Sequence, residues 1–274
     1  MTINTNGKII NLSSPKIMGI LNITPDSFYD GGKFNKRGGI LKQIEKMVNS
    51  GVDIIDVGGY SSRPGAKDVS IENELNRVIP AIELIKKKYP NAIISIDTFR
   101  GKVANEAIET GAAIVNDISG GNLDSSMFEV VAKYKTPYVL MHMKGTPANM
   151  MSKTNYSDVT KDVCKYFSER IAKAKSFGIN DIMIDPGFGF SKTIKQNYEL
   201  LNNLEFLKQF DKPLVVGVSR KSMIYKTLNT TPEKALNGSS VLHAISLIKG
   251  ANILRTHDVK EAAECIKIVN ELNG

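Results

Sequence analysis

Ile17-Met18-Gly19-Ile20-Leu21-Asn22-Ile23-Thr24-Pro25-Asp26-Ser27-Phe28-Tyr29-Asp30-Gly31-Gly32 is the stretch from which the fold of this chain is read. Its first five residues are continuously apolar, and Asn22 ends the run. A polar loop follows, punctuated by Pro25, Gly31 and Gly32 and carrying Asp26, Asp30 and the aromatic pair Phe28 and Tyr29. A short apolar run without polar alternation suits a strand covered on both faces, as in a parallel sheet. Such a strand delivers its polar end, and the loop after it, to one edge of the sheet.

The pattern recurs along the chain. Apolar runs end in polar residues at 52–59, 93–97, 113–117, 137–143, 182–187, 213–219 and 251–257. Helical spacing lies between them. Ile40, Leu41, Ile44, Met47 and Val48 precede Gly51, and Leu75, Val78, Ile79, Ile82 and Ile85 share one face of a helix over 71–88. Further helices are expected over 101–109, 125–133, 157–177, 196–208, 221–228, 233–249 and 259–272. Eight strand–helix units in 274 residues fit an α/β fold of the (β/α)₈ TIM-barrel type, as one domain spanning 1–274. A doubly wound open sheet is the competing topology. Ahead of the first strand, Ile9 and Ile10 suggest a short strand or hairpin that closes the bottom of the barrel.

The net charge is +8, from 36 Lys and Arg against 28 Asp and Glu. Most of the positive charge is lysine on polar helix faces, as in Lys86, Lys87 and Lys88, which reads as a solvated surface. Basic segments interleaved with aromatics are absent, so a nucleic-acid partner is not expected. Of seven arginines, Arg63, Arg100, Arg220 and Arg255 each stand at or just after the end of an apolar run. Guanidinium forks bind phosphate bidentately, so this placement hints at a small anion. Cys164 and Cys265 have neither disulfide nor metal-ligand spacing. No run approaches the ~20 apolar residues of a membrane span. A cytoplasmic protein with no membrane partner is expected.

The residues that end the strands are Asn22, Asp56, Asp97, Asn116, His142, Asp185, Ser219 with Lys221, and Arg255 with His257. Any one of them is explained as a loop cap. A barrel, however, gathers all eight ends at one mouth, where active sites of this fold lie. Asp97, Asn116 and Asp185 offer acceptors and an amide that suit a neutral heterocycle with several N–H donors, and Lys221 adds a donor. Arg63, Arg255 and His257 offer positive charge to a phosphate. Asn22 and Asp30 are hard oxygen ligands suited to Mg²⁺ held mainly by a pyrophosphate of the substrate. His142 and His243 read as core histidines. The Walker A, His-Glu-x-x-His and Gly-x-Ser-x-Gly signatures are all absent.

The sequence resembles the dihydropteroate synthase family along nearly its whole length. The matching stretches are Gly19 to Gly32, Asp56-Val57-Gly58-Gly59, Ser61-Ser62-Arg63-Pro64-Gly65, Ser95-Ile96-Asp97-Thr98, Val115-Asn116-Asp117 and Leu140-Met141-His142-Met143. They continue through Asp185-Pro186-Gly187-Phe188-Gly189-Phe190, Ser219-Arg220-Lys221-Ser222 and Arg255-Thr256-His257-Asp258. The resemblance implies a pterin-binding barrel, an Mg²⁺ cofactor and a homodimer formed through the late helices. The implied reaction joins 6-hydroxymethyl-7,8-dihydropterin pyrophosphate to p-aminobenzoate through a pterin-methyl cation. It assigns Asp97, Asn116, Asp185, Lys221 and Met143 to the pterin, and Asn22, Arg63, Arg255 and His257 to the pyrophosphate. Phe28, Ser62, Arg63, Pro64, Phe190, Lys221 and Ser222 fall to p-aminobenzoate and competing sulfonamides, and Asn22 and Asp30 to the metal. Catalysis would fall to Asp97, Asp185, Lys221, Arg63 and Asp30, with loops 23–37 and 60–70 closing over the site. A methyltetrahydrofolate:corrinoid methyltransferase of the same fold is the alternative. It would share Asp97, Asn116 and Asp185 but has no use for the loop of Thr24 to Gly32.

Overall fold

The structure, a computed structural model, describes residues 1–5, 7–23, 36–61 and 68–272. An antiparallel hairpin, β1 (Thr2–Thr5) and β2 (Lys8–Asn11), comes first. Eight parallel strands follow: β3 (Lys16–Asn22), β4 (Ile54–Gly58), β5 (Ile93–Asp97), β6 (Ile114–Asp117), β7 (Tyr138–Met141), β8 (Ile182–Asp185), β9 (Val215–Val216) and β10 (Ile253–Thr256). Their order in the sheet is β8-β7-β6-β5-β4-β3-β10-β9. The two ends of that order meet at a parallel bridge between Ile184 and Leu214, so the sheet comes round into a nearly closed barrel. The open-sheet alternative is thereby set aside.

Period-two alternation decides what lines the barrel. Met18, Ile54, Ile114, Val139, Met183, Val215 and Ile253 form one buried cluster with Ile3, Ile10 and Leu12 of the hairpin segment. These are the inward residues of the strands' lower halves, and the hairpin stops the barrel from below, as expected. Two residues further along each strand the same face presents Ile20, Asp56, Asn116, Met141, Asp185, Gly217 and Arg255. The polar ends thus stand one pleat above an apolar floor. The outward residues, among them Ile17, Leu21, Ile55, Val57, Ile94, Ile96 and Val115, pack in a second, larger cluster with the surrounding helices.

The helices are α1 (Lys36–Asn49), α2 (Ile71–Lys88), α3 (Gly101–Thr110), α4 (Met127–Tyr134), α5 (Val159–Ser176), α6 (Ile194–Asn202), α7 (Ser222–Thr227), α8 (Leu236–Ile248) and α9 (Val259–Leu272). Local chemistry sets their starts. Ser70 caps α2 through the Asn73 N–H, and Asp158 caps α5 through the Lys161 N–H. Thr193 and Gln196 form a reciprocal capping box on α6, a device worth about 1 kcal/mol. That box starts α6 two residues before the expected 196, and Asn202 ends it. The expected continuation to 208 is instead a 3₁₀ segment, Leu204–Phe210.

The apolar residues of α8 divide between core and surface. Leu242 and Leu247 are core residues, whereas Val241 and Ile248 are exposed, together with Ile268 and Leu272 of α9.

Candidate active site

The barrel mouth holds a compact charge cluster. Asp56 is fully buried. Its Oδ2 accepts from Arg255 Nε at 2.7 Å and from Asn116 Nδ2 at 3.0 Å. The same guanidinium reaches Asp97 Oδ2 at 2.5 Å. Strands β4, β5, β6 and β10 each contribute one of these four side chains, so only closure of the sheet assembles them. Among the described residues, Asp56 Oδ1 and Ser95 Oγ are buried and have no hydrogen-bond partner.

Asp185 and Lys221 complete the cluster. Three carboxylates, Asp56, Asp97 and Asp185, then face two cations, Arg255 and Lys221. Burial is the first influence on their protonation. Burial raises the Asp97 carboxyl to about 7, with Asp56 pushing the same way and Arg255 opposing. Burial also raises Asp185 above the usual carboxylate range, against the pull of Lys221. Lys221 is lowered to about 8, by burial first, with Asp185 working against the shift. Burial works against the Arg255 charge too, but Asp56 and Asp97 outweigh it and hold the guanidinium charged. Among these five residues the carboxylates outnumber the cations by one, and one carboxyl proton sits near neutrality.

The turn after β8 is the second feature. Gly187 N–H donates to Asp185 Oδ1 at 2.7 Å, and Gly189 N–H to Asn197 Oδ1 at 2.7 Å. Gly187 has φ +69°, and a Cβ there would lie 2.0 Å from the His142 carbonyl oxygen. Only glycine fits this position. The turn hands two groups to Lys221: the Phe188 carbonyl, which accepts from Nζ, and the Phe190 ring, centred 4.8 Å from it. Met143, Met150, Met141 and Ile118 form a small buried cluster beside it, with Phe190 packed against them.

The fold and its mouth can be set against known proteins. The pterin-binding enzyme family matches residues 18–257. The dihydropteroate synthase of Escherichia coli K12 is 44% identical over 271 residues, covering 98% of this chain and 95% of that protein. The chain belongs to the dihydropteroate synthase family of pterin-binding enzymes. The Yersinia pestis dihydropteroate synthase solved with a sulfonamide drug superposes with a TM-score of 0.94 at 40% identity, over 100% of this chain and 99% of that one. The Xanthomonas albilineans dihydropteroate synthase solved with 4-aminobenzoic acid gives 0.93 at 35% identity, over 100% and 98%.

Within this family member, the residues singled out by sequence fall into three groups. Asp97, Asn116, Asp185, Lys221 and Arg255 meet at the mouth, with Met143 and Phe190 along its β7–β8 side. Asn22 lies level with Gly58 on β4, which in turn pairs with Asp97. His257 shares a 3.1 Å hydrogen bond through Nδ1 with Ser219 Oγ, tying the end of β10 to the end of β9. Ser222 opens α7. Phe28, Asp30, Ser62, Arg63 and Pro64 lie outside the described residues, as do most of loops 23–37 and 60–70.

Two of the four arginines that hinted at an anion are committed elsewhere. Arg220 is held bidentately by Asp258, at 2.8 Å on both sides, and reaches the carbonyls of Pro232 and Glu233. Arg100 pairs with the buried Glu74 at 2.7 Å. Neither carboxylate is at a spacing in the chain that betrays the pairing. Arg255, expected as an anion ligand, has its guanidinium clasped between two carboxylates.

Sequence reasoning passed over Asp56 as a site residue, although it was visible as a strand end. Its role as the anchor of Arg255 depends on a contact 199 residues away in sequence. His142 is buried, as its apolar neighbours suggested, but its partner, Lys192, was not foreseen. His243 is buried on α8, and burial lowers it to about 4, in keeping with a core histidine.

Proposed function

We propose that this chain condenses 6-hydroxymethyl-7,8-dihydropterin pyrophosphate with p-aminobenzoate, giving 7,8-dihydropteroate and pyrophosphate. The observation that carries the reading is the excess of carboxylate over cation among Asp56, Asp97, Asp185, Arg255 and Lys221. In a dissociative step the methylene C–O bond breaks and its electron pair leaves with the pyrophosphate. The cation left behind is spread over the pterin ring. The arylamine nitrogen then attacks the methylene carbon and releases one proton. Fixed negative charge at the ring stabilises the cationic stage more than the neutral substrate, which is the requirement for catalysis. No protein nucleophile is needed.

In this reading Asp97, Asn116, Asp185 and Lys221 hold the pterin, with Met143 against its face. Asn22, Arg63, Arg255 and His257 take the pyrophosphate. Phe28, Ser62, Arg63, Pro64, Phe190, Lys221 and Ser222 border p-aminobenzoate. The catalytic set is Asp97, Asp185, Lys221, Arg63 and Asp30. Arg255 would meet the leaving group as a cation already oriented by Asp56.

The donor chemistry around Asn22 fits Mg²⁺. Asn22 Oδ1 and Asp97 Oδ2 both lie within 3.5 Å of where a Cβ on Gly58 would stand, so hard oxygens gather at this point of the mouth. Among the described residues no group of three or more His, Cys, Asp or Glu side chains is arranged to hold a metal. The ion would be held by Asn22 and Asp30 and chiefly by pyrophosphate oxygens, and when bound would neutralise leaving-group charge.

The solved relatives with a sulfonamide and with 4-aminobenzoic acid support both the substrate class and sulfonamide binding. The methyltransferase alternative has no comparable support. The test is incubation of the pure protein with the dihydropterin pyrophosphate, labelled p-aminobenzoate and Mg²⁺. Labelled dihydropteroate is expected, suppressed by a sulfonamide and by chelation of the metal. Folded protein that forms no product would overturn the reading.

Homodimerisation belongs to the same proposal. Val241 and Ile248 on α8 and Ile268 and Leu272 on α9 are exposed, and these two helices pack on each other. A second copy would cover them. Light scattering should give twice the 30.1 kDa chain mass, and Ile248→Glu with Ile268→Glu should halve it. A monomeric parent protein would remove this part. A cytoplasmic site of action is also proposed; among the described residues no helix is long and apolar enough to cross a membrane.

A further inference from the structure

Lys192 is only 2% exposed and has no part in the chemistry above. Its Nζ makes three contacts: His142 Nδ1 at 2.9 Å, the Gly187 carbonyl at 3.0 Å and the Phe190 carbonyl at 3.2 Å. Burial holds its pKa well below the ordinary lysine value, against the pull of Asp185, and the amine donates to the two carbonyls while sharing a hydrogen bond with the ring nitrogen. None of the three partners is a carboxylate, so no contact ion pair offsets the burial. His142 is buried and neutral, its pKa held well below the ordinary value by burial first and then by Lys192. The ring is fixed edge-on to Tyr166 at 4.8 Å, and the Tyr166 hydroxyl donates to the Met141 carbonyl at 2.8 Å.

Two of the partners belong to one short turn. Gly187 and Phe190 are its first and last residues, already joined by the Phe190 N–H to the Gly187 carbonyl at 3.1 Å. On its other side the same turn presents the Phe188 carbonyl and the Phe190 ring to Lys221. Two lysines thus grip one turn, Lys192 from the buried side and Lys221 from the mouth.

We propose that Lys192 is a positioning residue of the active site. By tying the Gly187 and Phe190 carbonyls to His142, it holds the turn in the shape that seats Phe190 and Lys221 against p-aminobenzoate. The inference rests on the reading that these two residues border the p-aminobenzoate pocket. A methionine at 192 would fill the volume but remove the donor of the Phe190 carbonyl and the partner of the His142 ring nitrogen, leaving the Gly187 carbonyl to the Phe190 N–H alone, and the turn would shift toward water.

Steady-state kinetics of Lys192→Met provide the test. The KM for p-aminobenzoate should rise about tenfold, the scale of one lost buried hydrogen-bond set. The KM for the dihydropterin pyrophosphate should rise less than that for p-aminobenzoate, since Asp97 and Asn116 stand on other strands and only Asp185 and Lys221 of the pterin set touch the turn. His142→Leu, which deletes the third partner, should raise the p-aminobenzoate KM more than His142→Asn, which restores one. Phe190→Ala is the control for the pocket. If it raises that KM while Lys192→Met and His142→Leu do not, Lys192 has no positioning role and the pocket reading stands. If Phe190→Ala leaves it unchanged, the pocket reading itself fails and the inference falls with it. Equal rises in both KM values for Lys192→Met would mark a general structural defect and overturn the inference. Should Lys192→Met not fold, the two His142 variants decide by the same readout.

Discussion

Asp97→Asn is expected to lower kcat by about a thousandfold while changing pyrophosphate affinity little. Removing one well-placed electrostatic partner of a developing charge typically costs 10²–10³ in rate. Here asparagine keeps the size and one oxygen but removes the charge that faces the cationic pterin. Affinity for the pyrophosphate should persist, because Asn22 and His257 are untouched. Near-normal turnover in the variant would refute the electrostatic role. The pH dependence gives an independent check. Asp97, raised to about 7, must be ionised, so kcat/KM should climb through about pH 7. Lys221, lowered to about 8, must keep its proton to donate, so kcat/KM should fall above about pH 8. The expected profile is a narrow bell between these values. In Asp97→Asn the acid limb should vanish. A flat wild-type profile from pH 6 to 9 would contradict both assignments.

Arg255→Leu should be the most destabilising of the substitutions considered, by about 3–5 kcal/mol, the usual consequence of removing one member of a buried ion pair. Asp56 is fully buried, and the Arg255 side chain is 18% exposed, so solvent screens the pair weakly. The same change should also weaken pyrophosphate binding. The sign with pH follows from Asp97. Its folded pKa lies above the ordinary 3.8, so between those values the folded state holds a proton that the unfolded chain releases. Stability therefore falls as pH rises from about 4 to about 7. Without Arg255 the carboxyl is pushed higher still, so the deficit relative to wild type should be larger at pH 8 than at pH 5. Urea unfolding at both pH values measures it. Adding Asp56→Asn should recover part of the loss, because the uncompensated charge is then gone. An equal deficit at both pH values, with no recovery in the double variant, would show that Arg255 acts through packing alone.

Much of this was legible in the residues. Continuous apolar runs such as Ile17 to Leu21 mark strands buried on both faces, and helical spacing such as Val78, Ile82 and Ile85 marks what covers them. Counting eight such units leads to the barrel, and the polar residue closing each run marks the mouth. Local rules of this kind act over a few residues, so a linear reading can apply them. The capping box at Thr193 moved a boundary by two residues without affecting the architecture.

What remained hidden was pairing. Arg100, Arg220 and Arg255 look alike as arginines at strand ends, yet Glu74 and Asp258 claim the first two, and Asp56 and Asp97 orient the third. Lys192 reads as one more surface lysine until the β8 turn folds over it. Residue order is enough to reach the barrel, the face on which the chemistry gathers and the family to which the chain belongs. Which charges pair is set by the folded chain. Coulomb and hydrogen-bond energies depend on distances of a few ångströms between residues up to 199 positions apart, and closure of the sheet sets those distances.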